Sequence, residues 1–276
     1  MGAGVRPDPA GRGLGLPPRL LTVVACLLLV VPHLIVVVTS VDPSPAGVFP
    51  PRGVTLKWYA NAFARPAFRE AFGLSVLVAA LTAALSVTIG TMASLLVVRH
   101  RFPGRALLTT LLQSPMMIPE VVLGLGFLIL FARWRIYLSV ANLVVAHVVI
   151  TLPFALRVVS ASLYSVGPSI EEAAQVLGAG PLTTFARITL PVIKQGMLAA
   201  AIFSFVVSFD NFTVSAFLVS GRGTLPVEIY SYIRTGSDPT IAAISAVLIA
   251  LSVLVVLGVE RVVGFEGIAQ SGRMGG

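Results

Sequence analysis

Apolar residues in this chain do not alternate with polar ones; they run on continuously, and the polar residues collect in the gaps. Runs of the ~20 mostly apolar residues that cross a bilayer occur at 20–39, 71–98, 107–131, 137–159, 196–219 and 241–259. They are rich in Leu, Val and Ala and lack a period of two, so they predict helices and not barrel strands. The expected fold class is an all-α integral membrane protein with six transmembrane helices. Composition agrees: 57% hydrophobic residues, 11% charged residues and a mean hydropathy of +0.97 are far outside the range of a soluble domain.

The spans occupy 19–263 as one membrane domain. Before it, 1–18 is rich in Gly, Pro and Arg and reads as a disordered cytoplasmic lead; 264–276 reads as a cytoplasmic tail of the same kind. A cleaved leader with Arg19 in its n-region and Ser40 near the cleavage point is the other reading of the first span. Its apolar run exceeds a usual h-region, which favours a retained anchor.

The net charge of +8 does not point to nucleic acid, because the basic residues lie at span ends and not in one stripe. Arg6, Arg12 and Arg19 precede the first span, Arg99, Arg101 and Arg105 crowd the second loop, and Arg157, Arg187 and Lys194 surround the segment between the fourth and fifth spans. This bias places both termini inside. Arg52, Lys57, Arg65 and Arg69, with Arg133 and Arg135, fall in outer loops, where long segments obey the rule weakly.

Chemistry is sparse. No GxxxxGK[ST] phosphate loop occurs, His33, His100 and His147 sit on separate segments, and Cys26 is the lone cysteine. No metal set, nucleophile–base pair or cofactor site in the chain is expected, so the reading is not an enzyme. Any nucleotide must be bound by another polypeptide.

The polar segment 169–191, SIEEAAQVLGAGPLTTFARITLP, is the most informative stretch. Ser169 and Glu172 have capping-box spacing, and Glu171 and Glu172 fit the positive first turn of a helix. Ala173 and Ala174 keep that helix slim, Gly178 to Gly180 supply a residue at positive φ to end it, and Pro181 suits the first turn of a second short helix. A stiff helix-turn-helix elbow follows.

The order Glu172-Ala173-Ala174, Gly178, Ile188, Leu190, Pro191 resembles the EAA loop of bacterial ABC-importer permeases, here within a coupling loop at 160–194. The wider resemblance runs from the first span to the sixth. SFDNFTVS at 208–215 and TLPVEIYSYIR at 224–234 are similar to the spermidine/putrescine subfamily more than to permeases for maltose, sulfate or molybdate. The resemblance implies a type I importer permease fold in the bacterial cytoplasmic (inner) membrane. It also implies three kinds of partner: a second permease subunit, an ABC ATPase dimer that binds the ATP, and an extracytoplasmic solute-binding protein. By the same resemblance Glu171, Glu172, Ala173, Ala174 and Gly178 meet the ATPase, with Glu172 pairing a basic residue there, while Ile188, Leu190 and Pro191 fix the elbow against the membrane helices. The cargo implied is a polyamine; iron, an anion or an opine would need the same machinery, and an ion-coupled secondary transporter is the reading from another class.

Two intramembrane carboxylates mark a candidate path. Glu120 follows Pro115 and Pro119 in the third span, where it either caps the restarting helix or faces an aqueous route. Asp210, with Asn211 beside it, stands about 15 residues beyond the loop, roughly 20 Å at 1.5 Å per residue and past the midplane. It either N-caps a half-helix through the N–H of Phe212 or Thr213 or contributes charge to the path. In the second span Ser86, Gly90 and Ser94 repeat every four residues, which predicts close packing on another helix. Trp58 and Tyr59 in the first outer loop read as interfacial anchors. Beyond the fifth span, Leu225, Pro226, Ile229 and Tyr230 predict an amphipathic segment.

Overall fold

A computed structural model describes residues 18–263 except 46, 48, 138, 166, 236 and 237. The expected tail, and the lead apart from Pro18, lie outside the described residues. Among the described residues twelve α-helices follow in order: α1 Pro18–Thr39, α2 Lys57–Ala64, α3 Pro66–Arg99, α4 Arg105–Gln113, α5 Glu120–Arg133, α6 Val140–Ser165, α7 Pro168–Val176, α8 Pro181–Thr184, α9 Leu190–Phe209, α10 Thr213–Leu218, α11 Leu225–Thr235 and α12 Thr240–Val263. No strand occurs among the described residues. The chain divides into two compact units, one made of the described residues through Tyr59 with Asp238–Ile249, the other of the remainder.

In the first unit α1 exposes its apolar side chains along its length, Leu28 and Leu29 by 70% and 71%, as a helix bathed in lipid does. The loop after it is tied to the start of α2. The indole Nε1 of Trp58 donates to the Asp42 carbonyl at 2.7 Å, the Tyr59 hydroxyl meets Ser40 Oγ at 2.6 Å, and Lys57 Nζ donates to the Pro43 carbonyl at 2.8 Å. Trp58 is buried, so it acts as an internal staple and not as the interfacial anchor its position suggests. In the same unit Asp238 Oδ1 accepts from the Thr240 N–H at 2.9 Å and starts α12.

The second unit is built around α3, α6 and α9. The 34 residues of α3 span about 50 Å at 1.5 Å per residue, well beyond a hydrocarbon core. In lipid no hydrophobic force pulls helices together, so small residues and interhelical hydrogen bonds do so. The four-residue stripe of the second span supplies them: Ser86 Oγ meets Thr151 Oγ1 at 2.7 Å, Ser94 Oγ donates to the Leu156 carbonyl at 3.1 Å, and a Cβ on Gly90 would come within 2.9 Å of the Ala155 Cβ. The partner of the stripe is therefore α6 of the same chain. Gly196 gives α9 a similarly close approach to Ser162 on α6, above a core of Val159, Leu163, Ile193 and Ala200.

All six predicted spans are helical, with two revisions. The third is not a kinked rod: α4 tightens into a 3₁₀ turn at Ser114–Met117, and the chain then bends by 105° before α5. Pro115 lies at the second position of that turn and Pro119 precedes α5, so each proline sits where its missing N–H costs least. The fifth span lies earlier than 196–219. Its helical run is Pro181–Phe209, residues 210–212 leave the helix, and α10 is separate. Among the described residues four helices are long and apolar enough to cross a membrane unbroken, the bent pair makes a fifth, and the apolar part of α12, Thr240–Val255, is shorter. The amphipathic segment beyond the fifth span is α11. It lies on α3, with Leu225 N–H donating to Ser75 Oγ at 2.8 Å and Tyr232 edge-on to Phe68.

Candidate functional site: the elbow and the broken-helix cavity

At the elbow α7 begins at Pro168, one residue before the expected start, with Gly167 as an extended N-cap and no side-chain cap. The Ser169–Glu172 capping box is thus not formed. Proline at the first position fixes φ for the helix, which leaves Ser169 inside the first turn and not at its boundary. The far end matches expectation. Gly178 has φ +90°, its N–H bonds the Gln175 carbonyl at 2.9 Å, and the Ala179 N–H bonds the Ala174 carbonyl at 3.0 Å, which is a Schellman closure.

Pro181 opens α8 as predicted, but that helix does not end. It passes through a π-turn at Phe185–Thr189 directly into α9. Pro191 explains the turn: it has no N–H for the Arg187 carbonyl and its ring crowds that carbonyl. The Leu190 N–H instead reaches back to the Phe185 carbonyl, a five-residue step that inserts one extra residue. Ile188 and Leu190 are half-buried and Pro191 is exposed.

The two adjacent glutamates face opposite ways. Glu172 is exposed, as are Ala173 and Gly178, and Val176, Leu177 and Leu182 are exposed by 88%, 88% and 84%. Glu171 turns inward. Its Oε1 accepts from Arg99 Nη2 at 3.0 Å and from Thr189 Oγ1 at 2.8 Å, and its Oε2 lies 3.0 Å from Arg99 Nε. Sequence reasoning did not find Arg99 or Thr189, since neither belongs to the spaced pattern.

Glu120, distant in sequence, and the adjacent Asp210 and Asn211 line one cavity of about 370 Å³ together with Val206, Val207, Phe212 and Thr213. Asp210 stands at the end of α9, where its N–H bonds the Val206 carbonyl at 3.0 Å. It therefore closes one helix and does not N-cap the next. That second role falls to Asn211, whose Oδ1 accepts from the Val214 N–H at 2.9 Å while its amide donates to Glu120 Oε2 at 2.9 Å. Glu120 is the first residue of α5 and makes no side-chain cap there.

A residue that the sequence reading set aside supports this break. His147, fully buried on α6, places Nδ1 2.7 Å from Ser208 Oγ on α9 and Nε2 3.1 Å from Ser215 Oγ on α10. The Ser215 hydroxyl donates to the Asn211 carbonyl at 2.7 Å, so its lone pair receives the imidazole Nε2–H. One ring thus spans both sides of the gap. A single histidine in an apolar run gives no spacing signal, and nothing else in the sequence singles it out.

Among the described residues no group of three or more His, Cys, Asp or Glu side chains is arranged to hold a metal ion. A family model described as "Binding-protein-dependent transport system inner membrane component" matches residues 86–264. The spermidine/putrescine transport system permease protein PotC of Escherichia coli (strain K12) is 29% identical over 235 residues, covering 85% of this chain and 89% of that protein. The putrescine transport system permease protein PotI of the same strain is 33% identical over 222 residues, covering 77% and 76%. Among solved structures, a bacterial ABC transporter that imports the acidic polysaccharide alginate superposes with a TM-score of 0.71 at 17% identity, covering 88% of this chain and 92% of that one.

Proposed function

Because this chain belongs to the family of binding-protein-dependent transport system inner membrane components, we propose that it carries a polyamine such as spermidine or putrescine through the cytoplasmic (inner) membrane. It is a multi-pass permease subunit of an ABC importer and not an enzyme; ATP is bound by the partner ATPase. The polyamine reading is supported by the likeness to PotC, a spermidine/putrescine permease protein, and PotI, a putrescine permease protein, and by one observation in particular: Glu120, Asp210 and Asn211 share one cavity at two helix breaks. Carboxylates in a partly dry site attract a cation strongly, and a few spaced, weak contacts let it leave again.

In this reading a second permease subunit completes the path, an extracytoplasmic solute-binding protein delivers cargo, and both termini of the 19–263 domain are cytoplasmic. The coupling loop at 160–194 meets an ATPase dimer. Glu172, Ala173 and Gly178, exposed on the elbow, and the half-buried Ala174 form the contact, and Ile188, Leu190 and Pro191 set the turn that joins the elbow to α9. Closure of the ATPase dimer on ATP moves the elbow as a rigid body, and the helices rock between inward and outward access.

The test is reconstitution of the permease pair, ATPase and binding protein in liposomes with labelled spermidine. Uptake that requires ATP and the binding protein is expected. Uptake that persists without ATP would replace this reading with an ion-coupled carrier, and strict ATP-dependent uptake of another solute alone would replace the cargo.

A further inference from the structure

Between α7 and its neighbours the backbone is built to give. Gly167 precedes the helix, and Gly178, at φ +90°, and Gly180 follow it. A force applied to the exposed face of α7 would be absorbed at those glycines unless a side chain carried it onward. The carboxylate of Glu171 is placed to carry it. It is gripped by Arg99, the last residue of α3, and by Thr189, the residue before α9. Arg99 and Glu171 are each only 15% exposed, so water screens the pair little and the charge-assisted contacts are strong. Each charge also sits at the favourable end of its helix dipole, the cation at the C-terminus of α3 and the anion in the first turn of α7.

We infer that Arg99, Glu171 and Thr189 form a strut that transmits movement of the elbow to the second and fifth membrane spans, so that Glu171 works within this chain while Glu172 faces the ATPase. The inference rests on the elbow being the ATPase contact. The three are positioning residues: they touch neither cargo nor nucleotide, and they make α7, α3 and α9 move as one piece.

The experiment compares E171Q, R99Q and the exchange R99E/E171R with the unsubstituted complex of permease pair, ATPase and binding protein in liposomes. Spermidine uptake per ATP hydrolysed is the readout. For the single variants the ATPase co-purifies as before and hydrolysis continues, but uptake per ATP falls about fivefold or more, the low end of coupling between distinct sites. The exchange recovers part of the ratio and not all of it, because the swapped charges oppose both helix dipoles and Thr189 loses its acceptor.

A cargo-independent measurement runs alongside: the ATP-dependent change in distance between spin labels at the start of α3 and the end of α9, which shrinks in the single variants. R99K and T189V weaken the same strut with less disturbance and carry the test if E171Q fails to insert. Unaltered uptake per ATP and unaltered label movement in R99K and R99Q would overturn the strut. Loss of the ATPase from purified E171Q complexes, with no recovery in the exchange, would assign Glu171 to the partner surface instead. E172K reads that surface separately, since it is expected to shed the ATPase, which the strut variants retain; if E172K keeps the ATPase and full uptake, the elbow contact itself fails.

Discussion

The side-chain amide of Asn211 donates to a carboxylate oxygen of Glu120 at 2.9 Å across 91 positions of sequence. It joins the break that ends α9 to the break that starts α5. Two interrupted spans thereby present their polar groups to one cavity, and backbone that leaves the helix within an apolar span is tolerable where it lines a cavity and not lipid.

Charge at that cavity is expected to set affinity for a cationic cargo. Asp210→Asn and Glu120→Gln should each raise the KM for spermidine uptake about tenfold, equivalent to ~1.4 kcal/mol, with a smaller change in maximal rate. Concentration-dependent uptake in the reconstituted complex measures this. An unchanged KM in both variants would remove these carboxylates from the path.

Glu172 projects from the elbow without the inward grip that holds Glu171. Glu172→Lys should abolish transport while leaving expression and membrane insertion intact, since an exposed substitution costs the fold little. Membrane levels by immunoblot beside uptake decide the matter, and normal uptake would count heavily against a coupling role.

The α3–α6 seam predicts opposite outcomes for two glycines on one helix. At Gly90 a Cβ meets the Ala155 Cβ at 2.9 Å and backbone atoms at 3.2 Å, whereas at Gly73 no atom lies within 4 Å. Gly90→Val should destabilise by about 1–3 kcal/mol through overpacking, while Gly73→Ala should be neutral or stabilising, since Ala favours the helix by about 1 kcal/mol. Thermal melting of purified protein checks both. Equal melting temperatures would show that the two helices part easily.

His147 bridges hydroxyls on either side of the α9–α10 gap. His147→Leu should cost about 1–3 kcal/mol by leaving buried polar groups unsatisfied, and His147→Asn should recover part of it. Melting temperature and spermidine KM should shift together, because the same gap positions Asn211 against Glu120. A lower melting temperature with an unchanged KM would separate the histidine from the path.

Much of the elbow was legible in sequence because its signals are local. Pro181 starts a helical turn and Gly178 ends one through their own backbone limits, and both behave as expected. The capping box failed for an equally local reason, since Pro168 had already fixed the start of α7 one residue before Ser169. Near the cavity the error was subtler. Asp210 and Asn211 are both competent caps, and the choice between them depends on Glu120, which receives the Asn211 amide from a different span.

By itself, then, the order of residues determined which stretches are apolar enough to suit a bilayer, that they are helical, and that Pro115 and Pro119 interrupt the third, because hydrophobic length and backbone freedom are properties of neighbours in the chain; the fifth span it placed too late. Only the tertiary structure decided that Ser86, Gly90 and Ser94 face α6, that Glu171 turns to Arg99 and Thr189 while Glu172 looks outward, and that His147 holds the broken fifth span. Within lipid those choices are made by hydrogen bonds and close contacts between distant segments, and such pairings leave no period or spacing to read.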